Sequence, residues 1–203
     1  MNNELKKILP INYKIIEKVD SVEIFHINYG MVEQEVYIKC RKSALGWTIL
    51  KSVRDNNFEI GTFIEEEYAI CVVYVLCVKN FEEVKVNNNL KRSLRNCDGE
   101  NAKFQATQII ESECESKYFS LYKQKKNSIC MENINELYNV FYLCEDDSRV
   151  DIVSDATFNR AIVVVYNFSI LLKEFNNIYT QLVNNYKTCE NHYEKLLRYY
   201  LNK

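Results

Sequence analysis

Polar and apolar residues alternate with period two along the first third of the chain. Tyr13–Glu17 and Val22–Asn28 follow this pattern and predict strands. Glu35–Cys40 and Trp47–Val53 read as a hairpin pair joined by a loop that contains Gly46. Arg54–Asn57 supplies the Asp and Asn of a turn, and Phe58–Phe63 is a further strand. Ahead of them, Asn3–Leu9 predicts a short amphipathic helix stopped by Pro10.

The apolar run that starts at Tyr68 is rich in β-branched residues and is compatible with a buried strand. Its flanks favour a helix over about Phe63–Phe81. Thr62 and Glu65 have capping-box spacing. Ser154, at the corresponding later position, is also a good N-cap residue. The later segment carries Phe158, Ala161, Ile162, Val165, Phe168, Leu172 and Phe175 at helical spacing.

That correspondence is an internal repeat. Asp55–Tyr74 returns without a gap 92 positions on, as Asp147–Tyr166. Asp55/Asp147, Ile60/Ile152, Ala69/Ala161, Ile70/Ile162, Val72/Val164, Val73/Val165 and Tyr74/Tyr166 are identical. At this spacing Asn139 stands opposite Trp47, and Asp146 opposite Arg54. Further upstream, Ile109-Ile110-Glu111 echoes Ile15-Ile16-Glu17, and Phe119 echoes Phe25. The predicted organisation is a first αβ unit over 1–86, a connection over 87–103 with a short helix at Leu90–Asn96, and a second αβ unit over 104–203.

In the second unit Lys117–Lys123, a stretch within Ile134–Cys144, and Val150–Val153 are expected strands, with a turn at Asp146–Arg149. Ala156–Leu201 lacks Pro and Gly, and an apolar stripe runs from Leu171 to Tyr200. A single helix of that length would extend ~65 Å, so a bend near Asn184–Asn185 or Thr188 is expected. The predicted class is α+β: two tandem repeats of a strand–hairpin–helix unit with antiparallel sheets and a long C-terminal helix.

Composition narrows the function. The net charge of −2 gives no reason to expect nucleic acid or an anionic membrane as partner. The N-terminal MNNELKK has no apolar stretch behind it, and no run approaches a bilayer span, so a cytoplasmic protein is expected. The eight Cys show no C-x-x-C spacing, and only His26 and His192 could join them, so buried reduced thiols are expected. No phosphate loop, metal spacing or nucleophile constellation is visible. The chain reads as a binding protein with no catalytic residues, cofactor or metal.

The informative charges are local. Glu145, Asp146, Asp147, Asp151 and Asp155 surround Arg149. The first copy carries Arg54, Asp55 and Glu59, then Glu65, Glu66 and Glu67. Acids at a helix start complement its dipole. As a set, these residues also suit an acidic docking surface for a basic protein.

The stretch WTILKSVRDNNFEIGTFIEEEYAICVVYVLCV resembles the small α/β immunity proteins of bacterial polymorphic toxin systems. Trp47 on a strand, Arg54 in the turn, and Glu65–Ala69 at an acidic helix start carry the resemblance. It implies a non-enzymatic protein that binds and neutralises a cognate protein toxin with a basic surface. The alternative is a cytosolic adaptor or secretion chaperone that binds an effector without inhibiting it. Oligomeric state is left open.

Overall fold

Two antiparallel meanders, each followed by an apolar helix, form the α+β architecture. The computed structural model describes residues 1–202. The elements are α1 (Asn2–Ile8), β1 (Tyr13–Glu17), β2 (Ser21–Asn28), β3 (Met31–Ser43), β4 (Gly46–Val53), β5 (Asn56–Phe63) and α2 (Glu66–Phe81). There follow α3 (Asn88–Arg95), α4 (Ala102–Glu111), β6 (Phe119–Ser120), β7 (Ser128–Ile134), β8 (Leu137–Leu143) and β9 (Arg149–Ala156). The chain ends with α5 (Phe158–Asn185), a 3-10 turn (Lys187–Asn191) and α6 (Tyr193–Leu201).

The chain divides into two compact units. Unit 1 comprises Met1–Glu83 and Tyr179–Tyr200, and unit 2 comprises Val84–Ile178 and residues 201–202. The second division falls inside α5. No described helix is long and apolar enough to cross a membrane.

Unit 1 holds a five-stranded sheet in the order β1-β2-β3-β4-β5, all antiparallel. The β4–β5 connection is the two-residue turn Arg54-Asp55, with φ of 48° and 65°. Both central residues are left-handed, the geometry that matches strand twist in tight hairpins. Gly46 closes the neighbouring hairpin at φ +123°, where a Cβ would lie 2.3 Å from the Phe63 carbonyl oxygen. Residues Tyr68–Cys77 of α2 are all buried. A helix apolar on every side must be covered on every side.

Unit 2 holds β6-β7-β8-β9. β7, β8 and β9 are antiparallel, but the short β6 joins β7 in parallel. The equivalence between units is therefore β3–β4–β5–α2 with β7–β8–β9–α5, and it extends to a shared irregularity. Leu50 pairs with Glu59 and Ile49 with Gly61, leaving Ile60 as a bulge. Phe141 pairs with Asp151 and Val140 with Val153, leaving Ile152 as a bulge. The identical pair Ile60/Ile152 thus occupies one structural position.

Several sequence expectations are corrected. Thr62 and Ser154 lie in β5 and β9, not at helix N-caps. Thr62 Oγ1 instead meets Thr48 Oγ1 at 2.9 Å across the strands, and Glu65 is the N-cap residue of α2. Ile109–Glu111 ends a helix, whereas Ile15–Glu17 is a strand, so that echo is not structural. The expected strand at Lys117–Lys123 shrinks to Phe119–Ser120, while β7 was not anticipated. Register places β8 only 91 positions after β4 (Leu50 and Phe141), so Tyr138, not Asn139, stands where Trp47 stands. The extra residue sits in the Cys144–Ser148 loop.

The connection between copies is largely helical. Asn87 Oδ1 caps α3 by accepting from Asn89 N at 3.0 Å and Leu90 N at 3.3 Å. The break in the C-terminal helix falls after Asn185, at the anticipated place. The cysteines depart in one pair: Cys71 and Cys189 form a disulfide. The other six form no disulfide and are buried, and desolvation pushes the Cys40 thiol up to about 12.

Candidate interaction surface

β5 and β9 are each the last strand of their sheet, with one side open. The residues singled out for partner contact lie on these two strands, on their adjoining turns and at the start of α2.

In unit 1 the tight turn projects Arg54 and Asp55 into solvent. Arg54 Nη2 donates to Glu35 Oε2 at 3.3 Å, with both side chains 76% exposed, so the pair is worth little. Asp55 borders a shallow groove with Lys14, Phe25, Gln34 and Tyr37. Glu59 is exposed on β5 and Glu65 is exposed at the start of α2. Neither carboxylate meets a cation among the described residues. Glu66, in the first turn of α2, accepts from the Met1 amino group.

In unit 2 the longer loop is braced from within. Asp146 Oδ1 accepts from Ser148 N at 2.9 Å. Lys126 Nζ pairs with Asp147 at 2.9 Å and donates to the Glu145 carbonyl at 2.7 Å. Asn127 Nδ2 donates to Glu145 Oε2 at 2.6 Å. The hydrogen bond to Asp147 raises the Lys126 pKa. Arg149 is held by Glu132 at 2.8 Å and lies 4.1 Å from the centre of the Phe141 ring. Asp151 and Asp155 remain exposed, with carboxylates that meet no cation among the described residues. Val150 is buried and Asp151 exposed, as alternation requires, until the bulge at Ile152 interrupts it.

The predicted set thus falls into two classes. Arg54, Glu66, Asp146 and Asp147 are engaged within the protein. Asp55, Glu59, Glu65, Asp151 and Asp155 present free charge. Glu59 and Asp151 are structurally equivalent, each directly before the bulge. Lys126 and Asn127 escaped sequence reasoning, because the strand that positions them was not recognised.

The remaining polar groups are occupied locally. His26 stacks on Phe81, and its Nδ1 lies 3.1 Å from Glu33 Oε2. His192 packs against Tyr68 with ring centres 4.1 Å apart and the rings tilted by 36°. In a unit 1 cavity, Glu4 accepts from Lys7 at 2.7 Å and from Tyr186 Oη at 3.5 Å. Within either unit, no three described His, Cys, Asp or Glu side chains converge as metal ligands would.

No protein-family model, characterised protein or solved structure matches this chain.

Proposed function

We propose that this protein is an immunity protein that binds and neutralises a cognate protein toxin in the cytoplasm by direct contact, without catalysis or a cofactor. The observation that supports this reading is the repeated placement of an unpaired carboxylate, Glu59 and Asp151, on the open edge strand before each apolar helix. Asp55 and Glu65 extend the charge in unit 1, and Asp155 extends it in unit 2. Such surfaces speed association with a basic protein and fix its orientation. The reading assigns no nucleic-acid or membrane partner.

The test is coexpression with the C-terminal domain of a secreted multidomain toxin encoded beside the gene. Rescue of growth and a complex between the purified proteins are expected. The double variants Asp151→Lys/Asp155→Lys and Glu59→Lys/Glu65→Lys should identify the copy that docks, through a more than tenfold weakening of a salt-sensitive affinity. Unchanged affinity in both variants removes this surface from the account. Absence of any complex sinks the reading. A complex that leaves the toxin fully active transfers the protein to the adaptor or chaperone class.

A further inference from the structure

Unit 1 is assembled from two stretches far apart in sequence, Met1–Glu83 and Tyr179–Tyr200. The buried apolar run Tyr68–Cys77 of α2 explains why. Strands β3 and β4 cover one side of it, and the C-terminal stretch closes the other. Tyr74 Oη donates to Gln181 Oε1 at 3.3 Å, Tyr68 packs against His192 with the rings tilted, and Thr188 donates to Glu67.

One bond in this cover is covalent. Cys71, in the middle of α2, is joined to Cys189 of the 3-10 turn across a sequence separation of 118. Both cysteines are fully buried. Leu196, Leu197 and Tyr200 of the same stretch are also buried, but the polar seam beside the bond is imperfect. Thr188–Glu67 is exposed. Tyr68 Oη and His192 Nδ1 are buried with no hydrogen-bond partner among the described residues. An unsatisfied polar atom in a seam weakens that seam.

We propose that Cys71–Cys189 is a redox-operated clasp. Oxidised, it fixes Lys187–Tyr200 over α2. Reduced, that stretch lifts more often and uncovers the apolar face that contains Tyr68 and Cys71. The chemistry is thiol–disulfide exchange with a small-molecule disulfide. One Cys thiol loses its proton, attacks that disulfide and releases one small thiol. The second Cys then displaces the other small thiol, so two protein thiols are oxidised and one small disulfide is reduced to two thiols. A dithiol reverses both steps. Because both sulfurs are buried, each exchange requires the 3-10 turn to open first. The clasp stands independently of toxin binding.

The test is hydrogen exchange on the full chain, treated with glutathione disulfide or with dithiothreitol and checked by intact mass. Exchange over 187–200 is expected to be at least tenfold faster in the reduced protein, with β7 and β8 unchanged. Cys189→Ala should show the fast rate under both conditions, and the wild-type pair decides the matter if that variant fails to fold. Equal exchange in the two wild-type states overturns the proposal. So does a chain that forms no bond with glutathione disulfide, or a bond that dithiothreitol leaves intact in the folded protein.

Discussion

Glu23 is 4% exposed, yet it is a carboxylate in the middle of a strand. It shares the face of Phe25, opposite Ile24, and meets Lys18 at 2.7 Å and Lys39 at 3.1 Å. Desolvation pushes its carboxyl up, but hydrogen bonds from the two lysines outweigh this and hold it below the usual carboxylate value. Replacing Glu23 with Met would leave Lys39, whose side chain is only 18% exposed, without a counter-charge. Orphaning one member of a buried pair costs ~3–5 kcal/mol. Lys18, 54% exposed, regains water freely, so Glu23→Met should cost about 2–3 kcal/mol. Lys39→Met should cost about 1–2 kcal/mol, because Lys18 still neutralises Glu23. The double variant should fall within about 1 kcal/mol of wild type, since two methylenes-rich side chains replace the ions with similar volume. Urea unfolding followed by fluorescence reads this out, because the single Trp is Trp47 in β4 of the same sheet. The pH dependence has a defined sign. A lowered folded pKa means a contribution fully present above the ordinary value of 4.5 and lost as pH falls through the folded value. Glu23→Met should therefore lose less stability than wild type below that pH. A cost under about 0.5 kcal/mol for Glu23→Met, or a double variant costing the sum of the singles, refutes the reasoning.

Two further outcomes follow from backbone and buried hydroxyl geometry. Gly46→Ala places a Cβ against the Phe63 carbonyl oxygen at a positive φ. It should destabilise unit 1 by at least about 2 kcal/mol, read by the same Trp47 signal. Tyr166 Oη is buried, donates to Glu113 Oε2 at 2.5 Å and accepts from Asn87 N at 3.0 Å. Tyr166→Phe leaves Asn87 N without its acceptor, while Glu113 keeps its hydrogen bond from Asn87 Nδ2 at 2.7 Å; it should cost about 1–2 kcal/mol, with faster hydrogen exchange at the start of α3 as its local signature.

Unit 1 was the more legible half because its strands are long and, Val22–Phe25 of β2 apart, none holds a continuous buried run. Tyr13–Glu17 was anticipated to the residue, and Trp47–Val53 differs from β4 only by Gly46. Unit 2 was less legible for a physical reason. Ser128–Met131 and Val140–Cys144 are buried without interruption, so neither run shows the period-two alternation that marks a half-exposed strand. The Thr62 cap failed because a hydroxyl suited to a helix start is equally suited to a cross-strand contact, and Thr48 lies opposite. Length calls for a break in the C-terminal helix near Asn184–Asn185 or Thr188, and α5 ends at the first of these. The Cys71–Cys189 pairing joins residues on opposite sides of an intervening unit, and no spacing rule reaches across it. The acids were visible one by one, but which were free depended on Glu35, Lys126 and Asn127, whose positions come from register.

The repeated bulge sharpens what the edge acids can mean. A straight edge strand presents a row of unpaired N–H and C=O groups that invites another strand, and a bulge or a charge disrupts that invitation. Glu59 with Ile60, and Asp151 with Ile152, place both devices at adjacent positions in each copy. Edge protection alone would account for a charge there, whatever its sign. Toxin docking by electrostatic complementarity requires the charge to be negative. Replacing Glu59 and Asp151 with Lys keeps the edge charged and the bulge in place, so the protective role survives while complementarity is inverted. Lost affinity in a variant that stays soluble therefore isolates the sign of the charge from its mere presence, which a change to Ala would confound. The same logic explains why divergence between copies can concentrate on these turns. The bulge and the apolar helix maintain each unit, leaving Arg54-Asp55 and Cys144–Ser148 free to differ in length, internal bracing and net charge.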